Sequence, residues 1–188
     1  MRYFILIVFA YLCGSIPFGK IVGKLYGIDI QKHGSGNIGF ANVVRVLGWK
    51  ASPIVLLGDI GKGLLPVIIA RQYLSGYQIL VVALAAVAGH IFPVWLKFKG
   101  GKGIATGLGV TLVISPLIGG LGLLIYLMGF AKFRKSAPSS LIAIWCIPLL
   151  CLAFVPRDTL FYIGLASLAS WAHRNNIRQI IKETARAD

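Results

Sequence analysis

Apolar residues run along this chain in long blocks rather than in alternation or in a narrow stripe. No Lys, Arg, Asp or Glu occurs in residues 3–19, 63–70, 74–96, 103–131, 136–156 or 159–173. The longer blocks reach the roughly 20 residues that carry a helix across a bilayer. Helix is the expected form, because in hydrocarbon each backbone group must find its partner within the segment. Breaks in the pattern place spans near 3–22, 52–70, 76–95, 104–114, 116–131, 139–155 and 159–173. The block from 104 to 131 exceeds one ordinary crossing, and Ser115-Pro116 stands near its middle with Gly119-Gly120 just beyond. Proline removes a backbone donor and crowds the preceding turn, so two short, tilted or partly inserted helices are expected there rather than one kinked helix.

The distribution of charge sets the count and direction of the crossings. With the first helix running inward, Lys20, Lys24, Lys32, Arg45, Lys50, Lys97, Lys99, Lys102, Lys132, Arg134, Lys135, Arg174, Arg178, Lys182 and Arg186 face the inner side, 15 of the 19 Lys and Arg residues. Arg2, Arg71 and Arg157 fall outside, and Lys62 lies within a span. Positively charged loops favour the cytoplasmic face. Six crossings would strand the last two clusters outside, so seven are expected, with the N-terminus outside and the C-terminus cytoplasmic. The chain reads as one polytopic all-α membrane domain, 1–188, with a short basic tail from about residue 174.

Composition agrees: 57% apolar and 13% charged residues do not describe a soluble fold. The net charge of +14 suggests an anionic partner. Because the charges line helix ends and no long soluble segment carries a nucleic-acid module, anionic membrane lipid is expected and nucleic acid is not. The first block could be a signal peptide, but Cys13-Gly14-Ser15-Ile16-Pro17 lacks a convincing cleavage site. Cys13, Cys146 and Cys151 are odd in number and sit in apolar blocks, suggesting core thiols rather than disulfides or a zinc site.

Three polar stretches on the expected inner face suggest chemistry. In His33–Arg45, "HGSGNIGFANVVR", Gly34, Gly36 and Gly39 allow close backbone approach and a nest of N–H groups. Ser35, Asn37 and Asn42 add neutral donors, and Arg45 adds a forked cation for phosphate or carboxylate. A turn with a surface arginine is the plainer alternative. In Lys97–Gly109, "KFKGGKGIATGLG", Gly100, Gly101 and Gly103 flank Lys102 just before a helix expected to begin at about Ile104. A lysine and a helix N-terminus would converge on one anion there. The Walker spacing is absent, which argues against nucleotide hydrolysis. In His173–Gln179, "HRNNIRQ", His173 suits a proton carrier or a dipole-matched helix end, with Asn176 on the same side of a continuing helix.

Other polar residues lie within the spans. Asp59 and Lys62, three apart, suggest a buried ion pair. His90 is either a packing histidine or a group that reaches the site. Ser139 and Ser140 open the sixth span, as a helix cap or as anion donors. Ser15 and Pro17 shape the first helix and allow close packing.

"GSIPFG", "GSGNIGFAN", "DIGKG", "GHIFPVW", "FKGGKGIATGLG" and "HRNNI" resemble, in order and spacing, the bacterial acyl-phosphate:glycerol-3-phosphate acyltransferases of the PlsY type, over nearly the whole chain to about Arg178. The resemblance implies a seven-helix enzyme of the bacterial cytoplasmic (inner) membrane with its active site on the cytoplasmic face. It implies transfer of a fatty acyl group from acyl phosphate to sn-glycerol 3-phosphate, the first acylation step of phospholipid synthesis. It also suggests a possible soluble partner that produces acyl phosphate; such a transfer from an activated donor needs no cofactor or metal, and no aspartate or glutamate cluster is present to bind one. None of His33, His90 and His173 is followed five residues later by aspartate, so the H-x4-D pair of other glycerol phosphate acyltransferases is missing.

Carried onto this chain, the resemblance marks Ser35, Gly36, Asn37, Gly39, Asn42, Arg45, Gly101, Lys102, Gly103, Ser140, His173 and Asn176 as substrate-binding, with Arg45, Lys102 and His173 catalytic. Arg45, Lys102 and His173 are assigned mainly to glycerol phosphate, and the backbone around Gly36 and Gly39, with Asn42 and Ser140, to acyl phosphate. The hydroxyl proton passes to His173 or to a substrate phosphate oxygen. The family usually reads G-A-T-N at Gly39-Phe40-Ala41-Asn42, and has an acid where Asn175 stands. Those departures leave open a changed efficiency or a paralogue with another acceptor. Readings from other classes are an anion or lipid-phosphate transporter and a silent lipid-binding relative; against transport, the polar motifs gather at one face and the halves show no clear repeat.

Overall fold

The computed structural model describes residues 1–185, all helix, turn and loop with no strand among them. Arg186, counted above with the inner-face charges, lies outside the described residues. Two compact units make up the chain, Met1–Gly119 and Gly120–Asp188. Five helical segments are long and apolar enough to cross a bilayer: Arg2–Leu25, Ser52–Arg71, Tyr77–Leu96, Pro116–Phe133 and Ser136–Phe154. Lipid-facing positions follow from exposure of large apolar side chains such as Leu57, Leu65, Met128 and Leu160.

In the first unit, α1 (Arg2–Gly14) and α2 (Phe18–Leu25) divide what the pattern read as a single helix near 3–22. Pro17 has no N–H to give to the turn before it, so the chain breaks at Ser15–Pro17. The helices α3 (Phe40–Leu47), α4 (Ser52–Arg71), α5 (Tyr77–Ile91) and α6 (Ile104–Ile114) follow. Packing centres on α4 against α6 and on α1 against α5. Both contacts are made by small residues: a side chain at Gly14 would strike the Ala86 carbonyl, and one at Gly109 the Ile60 carbonyl. Close backbone approach is how membrane helices gain dispersion energy, since burial from lipid offers little.

The broken α1–α2 span and the 104–131 block show how interrupted helices are tolerated. Lys62 donates to the Ile16 carbonyl at 2.7 Å, and Arg71 donates to the Val113 carbonyl in the last turn of α6 at 2.6 Å. Ser115 is extended, and α7 (Pro116–Phe133) begins at the proline, so two helices stand in this block as expected.

The second unit holds most of α7, then α8 (Ser136–Phe154), α9 (Thr159–Ala172) and α10 (Arg174–Thr184). Trp145 donates to the Ser170 hydroxyl at 3.0 Å between α8 and α9, and Gly129 of α7 lies against Ser139. Lys135 and Glu183 pair at 2.7 Å. Two expectations change here. The helix of the sixth span opens at Ser136 rather than at Ser139-Ser140, and Ser139 bonds back to the Lys135 carbonyl, so neither serine is its cap. His173 is a turn between α9 and α10, so Asn176 sits on a second helix rather than on a continuation of the first.

Candidate functional site

The polar stretch after α2 is not a slack loop. Ile30 and Ile38 are fully or almost fully buried with Val22, Val43, Ala51 and Val55, and Phe18, Val46, Leu47 and Leu96 pack around them. Each such aliphatic side chain contributes about 1.5–3 kcal/mol on burial, enough to hold the polar positions between them in one arrangement. The apolar spacing of Val43, Val46 and Leu47 is helical, and it is the signal that would have revealed α3. α3 begins at Phe40 straight after Gly39, which places Asn42 and Arg45 on a helix rather than on a loop.

Within this stretch Asn42 proves to be an organiser. Its Oδ1 accepts from the Ser35 N–H at 2.8 Å, and its Nδ2 donates to the carbonyls of Ile30 and His33 at 3.2 and 3.1 Å. Those bonds occupy the carboxamide, and the residue is 2% exposed. Its reading as a neutral donor to acyl phosphate is therefore corrected: it shapes the backbone that Ser35 and Gly36 present. Asn37 does the same locally, accepting from the Gly39 N–H at 2.7 Å. Gly34 and Gly36 both have positive φ, 59° and 71°, the conformation glycine adopts without penalty. Gly34 also lies on the side chains of Asn42 and Arg45. Ser35 and Arg45 are exposed.

The second stretch meets the first. Gln31 Nε2 donates to the Lys99 carbonyl at 3.2 Å, a tie the sequence did not signal. Lys97 and Phe98 take positive φ, 51° and 61°. That is costly for residues with side chains. Backbone bonds offset it: Phe98 N–H to the Pro93 carbonyl, Gly100 N–H to Ile91 and Gly101 N–H to His90, each 3.0–3.1 Å. Gly103, with φ 80°, then starts α6 at Ile104 without any side-chain cap. The helix begins where the pattern placed it, and its first N–H groups stand next to Lys102.

Lys102 is half-buried, and burial together with the nearby positive charge of Arg45 holds its ammonium below the usual lysine value of 10.5. Among the described residues neither cation is paired with a carboxylate. Two adjacent cations, glycine-rich backbone and an uncapped helix N-terminus are what an oxyanion needs and what a structural loop avoids. The first unit therefore gathers Ser35, Gly36, Asn37, Gly39, Asn42, Arg45, Gly101, Lys102 and Gly103 into two connected stretches.

Ser140, His173 and Asn176 belong to the second unit. Ser140 and His173 are each 2% exposed, and Asn176 is half-buried on α10. His173 Nδ1 lies 2.8 Å from the Ala169 carbonyl. A carbonyl only accepts, so Nδ1 carries the hydrogen, and in the neutral ring the lone pair is then on Nε2. That tautomer suits a proton acceptor.

The sequence reading expected an ion pair at Asp59 and Lys62, and either a packing histidine or a group that reaches the site at His90. Asp59 and Lys62 do form the ion pair, at 2.8 Å, both almost fully buried. His90 lies 3.6 Å from Asp59 through Nδ1 and backs onto Gly101 rather than pointing at an open site.

Known proteins resemble this chain over its length. A family model described as "Glycerol-3-phosphate acyltransferase" matches residues 4–183. A glycerol-3-phosphate acyltransferase of Myxococcus xanthus is 44% identical, over 96% of this chain and 97% of its own. Two crystal structures of PlsY, an integral membrane glycerol 3-phosphate acyltransferase, superpose with TM-scores of 0.93 for its glycerol 3-phosphate form and 0.91 for its lysophosphatidic acid form. Both are 35% identical and cover 97% of this chain, spanning 94% and 93% of their own chains.

Proposed function

The chain belongs to the glycerol-3-phosphate acyltransferase family, and from that premise we propose that it transfers a fatty acyl group from acyl phosphate to the 1-hydroxyl of sn-glycerol 3-phosphate. The products are 1-acyl-sn-glycerol 3-phosphate and inorganic phosphate, and the step is the first acylation of phospholipid synthesis. The observation that carries the reading is Lys102 at the uncapped start of α6, on a glycine-rich stretch that the Gln31–Lys99 bond ties to the stretch bearing Arg45, an anion cradle set on an apolar scaffold.

In the reaction the glycerol hydroxyl oxygen attacks the acyl carbonyl carbon, the bond from that carbon to the phosphate oxygen breaks, and phosphate leaves with the electron pair. Acyl phosphate is already activated, so the protein's contribution is positioning and charge stabilisation. Arg45 and Lys102 hold the phosphate of glycerol phosphate. The turn at Ser35, Gly36 and Gly39, held in shape by the bonds of Asn42 and Asn37, receives the acyl phosphate, with the exposed Ser35 side chain facing outward as a donor. His173 accepts the hydroxyl proton at Nε2, and Ser140 and Asn176 take substrate contacts by family resemblance. No cofactor enters this scheme. Seven crossings, an outside N-terminus, a cytoplasmic C-terminus and a cytoplasmic-face site in the bacterial inner membrane belong to the same proposal, supported by the inner-side gathering of basic residues. A soluble enzyme that makes acyl phosphate is the expected supplier.

The test is phosphate release from palmitoyl phosphate by purified protein, with and without glycerol 3-phosphate, alongside chromatography of the lipid product. Acceptor-dependent release with lysophosphatidic acid formed is expected. Release without acceptor dependence in folded protein refutes the acceptor, and flux of substrate into vesicles without product would support transport instead.

A further inference from the structure

Beneath the phosphate cradle lies a column of buried polar groups that the reaction scheme does not use. Lys62 Nζ donates to the Ile16 carbonyl at the α1–α2 break, at 2.7 Å, and pairs with Asp59 at 2.8 Å. Asp59 faces His90 Nδ1 at 3.6 Å, and its own carbonyl accepts from Thr106 in the first turn of α6 at 2.9 Å. His90 completes the column from two sides. Its carbonyl accepts the Gly101 N–H at 3.0 Å, and its ring edge lies where a Gly101 side chain would stand. A methyl group there would fall on Nε2, with Cδ2 and Cε1 next at 2.8 Å. Asp59, Lys62 and His90 are all 5% exposed or less.

Charged groups are costly inside a membrane scaffold, and a packing role alone would be served more cheaply by apolar residues. The column's geometry ends one residue before Lys102. Resting on the functional reading above, we propose that His90, backed by Asp59, is a positioning residue that sets the backbone at Gly101 and so aims Lys102 and the start of α6 at the substrate phosphate. It touches no substrate. The imidazole acts as a floor whose edge requires glycine at 101, and the Asp59 carboxylate faces its Nδ1 from 3.6 Å, an electrostatic contact beyond hydrogen-bond distance.

Steric complementation tests it. Asparagine at 90 keeps a polar group toward Asp59 while withdrawing the ring edge from Gly101. Gly101→Ala is expected to raise KM for glycerol 3-phosphate at least about 30-fold, and His90→Asn about 5-fold, with kcat changed less than KM in both. In the double variant His90→Asn/Gly101→Ala, KM returns to within about threefold of His90→Asn alone. Gly100→Ala is the control, because a methyl group there meets the His90 carbonyl and Pro93, neither of which His90→Asn removes; its defect persists on both backgrounds. Single effects that simply multiply, or equal rescue of Gly100→Ala, overturn the assignment. Monodisperse elution and unfolding midpoints identify misfolded variants, and His90→Ala runs in the same cycle with the same expected rescue. Wild-type protein that forms no acylated product refutes the functional reading alone. The cycle is then read from the rise in unfolding midpoint with inorganic phosphate, where unrescued Gly101→Ala overturns the positioning role.

Discussion

Replacing Asn42 by aspartate separates a residue that builds the anion cradle from one that reaches out to a ligand. The side chain makes three bonds to backbone, accepting from Ser35 and donating to Ile30 and His33. Losing a partner costs a buried group about 1–3 kcal/mol, while a group open to water recovers most of that. Ile30 is buried and bears the full cost, whereas His33 and Ser35 are exposed. Asn42→Ala therefore destabilises the stretch by about 2–3 kcal/mol. Aspartate retains the Ser35 bond but turns an anionic oxygen toward two carbonyls, adding about 1–2 kcal/mol of repulsion and desolvation. If the stretch opens locally, KM for glycerol 3-phosphate rises roughly 30- to 150-fold for alanine and further for aspartate. Protonating the introduced carboxylate restores a donor, so the aspartate variant regains affinity as pH falls and the alanine variant does not. Acceptor-dependent phosphate release measured from about pH 5 to about pH 8, with limited proteolysis across residues 33–42, reads both effects. An aspartate variant with wild-type KM at neutral pH, or with no recovery in acid, would refute the assigned bonding.

Three further outcomes follow from particular groups. Lys102 is held below the ordinary lysine value of 10.5 by burial and by Arg45, and a bound phosphate favours its charged form. Phosphate affinity is thus full below that lowered value and falls as pH rises through it. Kd for inorganic phosphate across the alkaline range should show the inflection, Lys102→Arg should remove it, and a flat wild-type profile contradicts the pairing. Lys62→Met strands Asp59 and the Ile16 carbonyl and should cost about 3–5 kcal/mol, with most of it regained in Asp59→Asn/Lys62→Met. Unfolding in mixed micelles measures both, and a neutral single variant argues against the buried pair. His173→Gln lacks a basic Nε2, so kcat at saturating substrates should drop about 100-fold or more; near-normal turnover assigns the proton to a phosphate oxygen.

Much of this molecule was legible before its coordinates. Apolar blocks of bilayer length follow from the cost of unpaired backbone in hydrocarbon, a constraint that acts on contiguous residues. Ser115-Pro116 predicted its helix break because proline acts on its own turn, and Gly103 before Ile104 marked the start of α6 for an equally local reason. The motifs in Ser35–Arg45 and Gly100–Gly103 marked the two stretches that Gln31 and Lys99 join in the fold, since phosphate-binding backbone needs glycine and cations within a few residues.

Long-range pairings were decided only by tertiary structure. Pro17 could have bent one helix, yet the chain breaks there with its Ile16 carbonyl taken by Lys62, 46 residues beyond Ile16. Asn42 looked like a donor to ligand until Ile30 and His33 were seen to occupy it. Gln31 meets Lys99 across 68 positions, and His90 meets Gly101 through a turn strained at Lys97 and Phe98. The α3 helix forms because Val43, Val46 and Leu47 find Ile30, Ile38 and Leu96 to bury against, not because eight residues favour helix alone. Sequence thus determined the membrane class and the kind of ligand, through interactions confined to a turn or a run. Which side chains face that ligand and which are spent on holding the backbone was decided by contacts between distant segments, whose energies exist only once the chain has packed.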